Sequence, residues 1–155
     1  MSGVKISGTN RIPQLVQSLR ELGKYEIEVG IFGSDEYVMI ASVHEFGITT
    51  RKEKGSIVIP ERSFLRSTFD DKNQEWFKFM KKQLEHVLNG RIDTRILCEN
   101  LGAKMVGDIQ EKITDLDTPP NAPSTIAQKG SSNPLIDKGG AGGLLSRITY
   151  KVVKR

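Results

Sequence analysis

Residues 61–88 read ERSFLRSTFDDKNQEWFKFMKKQLEHVL, and the spacing of their apolar side chains decides the fold class. Phe64, Leu65, Thr68 and Phe69 open a stripe that Trp76, Phe77, Met80, Leu84, Val87 and Leu88 continue to Asn89 and Gly90, the three-and-four spacing of an amphipathic helix. One helix over Glu61 to Leu88 would be about 42 Å long, whereas a compact chain of this size has a radius of gyration of about 15 Å. Such a helix reaches the molecule's edge, with a bend expected near Asp70 and Asp71. After Gly90, the residues Ile92, Ile96, Leu97, Leu101, Met105, Ile109, Ile113 and Leu116 mark a second long helix. It passes through Gly102 and Gly107, which would let the two helices lie close together.

Towards the N-terminus, Ile12, Leu15, Val16, Leu19 and Leu22 fall at helical spacing behind Asn10, with Pro13 where a missing N–H is harmless, and Gly23 ends the run. Tyr25, Ile27, Val29 and Ile31 alternate with Glu26, Glu28, Gly30 and Phe32, the period-two pattern of a strand. A second short helix is expected over Tyr37 to Phe46, stopped by Gly47. Ile48 to Gly55 is polar and basic and reads as a mobile loop, followed by a short strand at Ile57, Val58 and Ile59. Residues 118–143 hold four of the six prolines and five of the fifteen glycines without apolar periodicity, so they read as a loop or extended arm. Ile148, Tyr150 and Val152 form a last strand. These elements make residues 1–155 a single α+β domain: a small antiparallel β-sheet packed with several helices, two of them long and amphipathic, plus a Pro/Gly-rich arm.

Composition narrows the function. With 37% hydrophobic and 27% charged residues among 155, the chain has an ordinary globular balance. No apolar run approaches the roughly 20 residues that cross a bilayer, and Met1 to Lys5 does not lead into a secretory signal, so no membrane partner and a cytosolic site of assembly are expected. A single cysteine, Cys98, and two histidines argue against disulfides, multi-cysteine zinc sites and imidazole-rich metal centres, and no cofactor is expected. The net charge of +4 is uneven: residues 118–155 carry six cations against Asp137 alone, a net of +5, which leaves −1 for residues 1–117. That basic quarter allows a nucleic-acid-binding alternative.

Catalytic motifs are thin. His44 and Glu45 pair a base with an acid but lack the second histidine of a zinc-protease motif, and read better as a helix end before Gly47. Asp70 with Asp71, and Asp115 with Asp117, suit solvation and capping. Cys98 reads as a structural thiol, and no serine sits in a nucleophile elbow. The glycines from Gly139 to Gly143 lack the Lys-Ser/Thr ending of a phosphate-binding loop and read as a hinge. Trp76 and Phe77 fall on the helix stripe, which leaves Phe79 as the aromatic best placed for an interface.

Three stretches go further: His44-Glu45-Phe46-Gly47; Ile59-Pro60-Glu61-Arg62-Ser63-Phe64-Leu65-Arg66; and Pro120-Asn121-Ala122-Pro123-Ser124-Thr125-Ile126-Ala127-Gln128-Lys129-Gly130-Ser131-Ser132 with Pro134-Leu135-Ile136-Asp137. In this order and spacing, and with the closing Ser146 to Val152, the chain resembles the head-to-tail joining (neck or tail-completion) proteins of tailed bacteriophages and prophages. The glycine run after Lys138 departs from the family's usual Thr-Gly continuation. The resemblance implies a non-enzymatic virion protein, assembled in the bacterial host cytoplasm as a homo-oligomeric ring in the neck. Its expected partners are further copies, a portal-side adaptor and tail or tail-terminator proteins, with non-specific contact to DNA in the channel. Contact residues are expected at Arg51, Lys52 and Lys54 in the first loop, Arg62, Phe64 and Arg66 at the long helix start, and Pro123, Lys129, Leu135 and Ile136 in the arm. Phe64, Leu135 and Ile136 would bury apolar surface there, while Arg62 and Arg66 would meet acidic groups or DNA. The arm would be mobile in the free subunit and ordered between neighbours. A tail-terminator ring protein is the nearest alternative, and a small hydrolase using His44 and Glu45 is the most remote.

Overall fold

The computed structural model describes residues 8–33, 36–53, 55–136 and 143–155. Its elements run α1 (Ile12–Leu22), β1 (Tyr25–Gly30), α2 (Glu36–Phe46), β2 (Ile48–Lys52), β3 (Gly55–Ile59), α3 (Leu65–Leu88), α4 (Thr94–Asp115), α5 (Pro123–Lys129), α6 (Leu144–Arg147) and β4 (Thr149–Lys154). The fold is α+β, and its strands form two antiparallel pairs rather than one sheet: β1 with β4, and β2 with β3.

Helix α4 is the hub. Asp93 caps its start, accepting from the Ile96 amide at 2.8 Å, and α3 packs along it while the β1–β4 ribbon lies against it. Polar links fix the register of the two long helices: Trp76 Nε1 donates to Asp108 Oδ2, Asn100 to Gln83 at 3.0 Å, and Lys112 pairs with Asp71 at 3.0 Å. Ile109 and Ile113 carry α4 into a core completed by Ala41, Phe64, Leu135, Leu144 and Ile148. In the ribbon Ile27 faces Val152 and Val29 faces Tyr150.

Several expectations change. Gly102 does not bring the helices together; it makes room for the Tyr150 ring, whose Cδ2 would lie 2.5 Å from a β-carbon placed there. Phe77 is exposed and Phe79 half-buried, because Trp76 sets the buried phase of α3 and Phe77 falls about 100° away from it. Residues 48–52 are a strand and not a loop: β2 pairs with β3 from Ile48↔Ile59 to Lys52↔Gly55. The long helix starts at Leu65, four residues later than its apolar pattern suggested.

The described part of the arm is folded onto its own chain. It contains α5, ended by Gly130 in the left-handed conformation, and then buries Pro134 and Leu135 while Ile136 packs against the core. Asn133 makes the turn. Its amide nitrogen donates to the carbonyls of Ile113 and Thr114 at the end of α4, and its Oδ1 accepts from the amides of Leu135 and Ile136 at 2.8 and 3.0 Å. Of the hinge read at Gly139 to Gly143, all but Gly143 lies outside the described residues.

The two helix glycines separate cleanly in their cost. Gly102→Ala is expected to destabilise by about 1–3 kcal/mol through overpacking on Tyr150. Gly107→Ala, where a β-carbon meets nothing within 4 Å, is expected to stabilise by about 0.5–1 kcal/mol. Urea denaturation of the two variants beside the parent chain measures both.

Candidate functional site

The first turn of a helix presents backbone N–H groups with no partner inside the helix. Phe64 stands at the N-cap of α3 and has no side-chain oxygen to offer. The acceptor comes from α2. Glu45, only 3% exposed in the last turn of that helix, accepts from the amides of Phe64 and Leu65 with Oε2 at 2.8 and 2.9 Å, and from the Arg66 amide with Oε1 at 2.9 Å. Ser63 Oγ and Arg66 Nε also donate to Oε1, at 2.8 and 3.1 Å. Arg66 Nη2 adds bonds to the Glu45 carbonyl and to Glu61 Oε1, both at 2.7 Å, and its guanidinium lies 4.6 Å from the centre of the Phe46 ring. Burial pushes the Glu45 carboxyl up, but the three amides and the Ser63 hydroxyl outweigh it and hold the group below its ordinary value of 4.5.

Gly47 lets the chain turn under this cap. Its φ is +69°, and a β-carbon there would sit 2.8 Å from the Glu61 nitrogen. One residue further on, the Arg62 amide donates to the His44 carbonyl at 2.7 Å. The Arg62 side chain, 4% exposed, then reaches the segment after α4: Nε donates to the Pro119 carbonyl at 2.7 Å and Nη2 to the Pro120 carbonyl at 2.9 Å, with His44 Nδ1 3.5 Å from Nη1. Asn121 Nδ2 links that segment onward to the Asn133 carbonyl at 3.4 Å. The three separated sequence stretches singled out above are therefore one hydrogen-bonded constellation, centred on Glu45 and Arg62.

Within the single chain the expected contact residues fall in different surroundings. Phe64, 0% exposed, and Leu135 are buried in their own core and Ile136 packs against it, because each is held there by the Glu45 cap or the Asn133 turn. Arg62 is a buried internal clamp rather than a surface cation. Arg66 is half-exposed but engaged by Glu45 and Glu61. Lys129 Nζ donates to the Pro134 carbonyl at 3.1 Å, and Pro123 is exposed in the first turn of α5. Arg51 is exposed on β2, Lys52 lies on the same strand, and Lys54 is outside the described residues. Sequence reasoning missed Glu45 and Asn133 as organising groups; the signal for Glu45 was a helix start, Phe64-Leu65, with no acceptor of its own at the cap.

Both Glu45 oxygens are occupied by donors of the α3 turn, so neither is presented to a water molecule beside His44. Among the described residues no group of three His, Cys, Asp or Glu is placed to hold a metal ion, and no helix is long and apolar enough to cross a membrane. Cys98 is buried, which pushes its thiol up. Four cations of the basic C-terminal quarter are exposed and have partners on the same chain: Lys154 pairs with Glu21 at 2.7 Å, Arg155 pairs with Glu26, and Lys151 and Arg147 lie 4.1 and 4.2 Å from the ring centres of Phe32 and Tyr37. Lys154 and Lys24 hold the Glu21 carboxyl down to about 2. No family model matches this chain, and no curated protein or solved structure matches it either.

Replacing Glu45 by Ala is expected to cost about 3–5 kcal/mol, since it leaves buried donors without an acceptor. The pH dependence has a definite sign. A carboxyl lowered by folding stabilises fully above its unfolded value of 4.5, and that contribution is lost as pH falls through the lower folded value. The stability gap between the parent chain and Glu45→Gln is therefore expected to be wide near neutrality and to close in acid, as read from denaturant midpoints across that range.

Proposed function

We propose that this chain is a structural subunit of the neck of a tailed bacteriophage virion, forming with further copies a ring that joins head to tail. Portal-side adaptor and tail or tail-terminator proteins would be its neighbours, and the host cytoplasm its place of assembly. The observation that carries this reading is the convergence of the three family-like stretches into the Glu45–Arg62 constellation. Residues far apart in sequence that resemble one family are, in space, one unit of scaffold. In the basic quarter that suggested the nucleic-acid alternative, Lys154 and Arg155 are paired with Glu21 and Glu26.

Light scattering after size exclusion, over a concentration and salt series, tests the proposal. A discrete species at a whole-number multiple of 17.3 kDa, alone or on adding an adaptor or tail protein, is the expected result. A monomer under all these conditions that binds DNA with a steep salt dependence would replace it with the nucleic-acid reading.

A further inference from the structure

Between Pro120 and Pro134 the chain leaves the body and returns beside its point of departure. Asn121 Nδ2 donates to the carbonyl of Asn133, twelve residues on, at 3.4 Å, so the segment closes as an Ω-type loop, a class of about 6–16 residues. Each end has its own anchor. At the first, the buried Arg62 guanidinium holds the Pro119 and Pro120 carbonyls at 2.7 and 2.9 Å. At the second, the Asn133 side chain is bonded to the carbonyls of Ile113 and Thr114 and to the amides of Leu135 and Ile136, and Pro134 and Leu135 are buried.

The span between the anchors is held by far less. Helix α5 has no buried residue and no extensive contact with another helix or strand. Ile126, its largest apolar side chain, is half-buried and stands outside the set that packs against the core. Ser124, Thr125 and Gln128 are exposed and make no hydrogen bond to the rest of the described chain. The backbone bonds are local: the Ile126 amide donates to the Ala122 carbonyl at 3.0 Å and the Gly130 amide to the Ile126 carbonyl at 2.8 Å. Lys129 Nζ reaches forward to the Pro134 carbonyl, at the second anchor. A helix of seven residues is well below the about 12–15 at which an isolated helix becomes even marginal in water, so α5 stays formed only while the loop is closed.

We infer that residues 121–132 are a strap that opens and recloses as one unit, with Arg62 and Asn133 holding its two ends, while the rest of the chain stays folded. Openings cost less than global unfolding where buried apolar contacts are few, and here the buried contacts are confined to the anchors. A partner that reshapes this segment works against the strap's own opening equilibrium and not against the stability of the core. The inference uses only contacts within one chain, so it stands apart from the virion reading.

The first test is native-state hydrogen exchange of the unmodified chain, followed residue by residue by nuclear magnetic resonance in sub-denaturing urea. The Ile126 and Gly130 amides are expected to exchange at least about tenfold faster than the amide of the buried Ile113 in α4, with protection factors within about tenfold of each other. Their urea dependence is expected to be shallow, because opening the strap exposes little surface. A smaller separation from Ile113, an equally steep urea dependence, or a wider gap between Ile126 and Gly130 would overturn the strap. A recognition sequence for a site-specific protease, inserted after Gln128 in the full-length chain, then checks the anchors. Cleavage is expected in native buffer, with the two fragments eluting together and keeping the far-ultraviolet circular dichroism of the uncut variant. Resistance under conditions that cut an unstructured peptide of the same sequence, or separation of the fragments once cut, would overturn the inference; if the insertion variant fails to fold, exchange in the unmodified chain decides alone.

Discussion

The carboxylate of Glu45 is the interaction on which the other elements depend. A charge taken out of water is expensive unless its lone pairs are filled, and the free amides at the start of α3 fill them. Neither side is stable without the other: α3 begins at a phenylalanine that cannot cap it, and α2 ends in a buried charge. Their mutual satisfaction fixes the angle between the helices, pins Phe64 in the core, and presents Arg62 to the carbonyls of Pro119 and Pro120. The hairpin follows from the same constraint, because the chain can pass beneath the cap only where Gly47 has no side chain.

The long helices were legible because their periodicity is sustained over more than twenty residues and is enforced by burial against each other. Where burial is lacking, the signal fades. Thr49, Thr50 and Arg51 alternate with nothing recognisable as a core face, so β2 reads as a loop although it is paired along its length. Trp76, Phe77 and Phe79 are all apolar, and only the Asp108 partner of Trp76 settles which side of α3 turns inward. The folded segment after α4 was hidden for another reason: one side chain, Asn133, supplies the hydrogen bonds that a regular element would have supplied through its backbone.

The candidate site was partly visible. His44 and Glu45 stood out as neighbours, and reading them as a helix end was right as far as it went. What a linear reading lacks is the partner, since Glu45 binds residues 18 to 21 positions away and Arg62 residues 57 and 58 positions away. The basic C-terminal quarter shows the opposite limit. Its net charge is a true property of the sequence, but antiparallel pairing of β4 with β1 sets Arg155 against Glu26, and Lys154 meets Glu21 of α1. Exposed pairs of this kind add little stability. Their effect is local: each sets one cation of the quarter beside a carboxylate, and the net charge of the chain stays at +4.

The cap also bears on how the protein opens from moment to moment. Helix starts ordinarily fray, and their amides exchange hydrogen with solvent through small local openings. In α3 the amides of Phe64, Leu65 and Arg66 are held by a carboxylate anchored in α2, so freeing them takes the loss of bonds between two helices. Slower exchange than at an ordinary helix start is the expected consequence, at a helix end where protection is usually lowest.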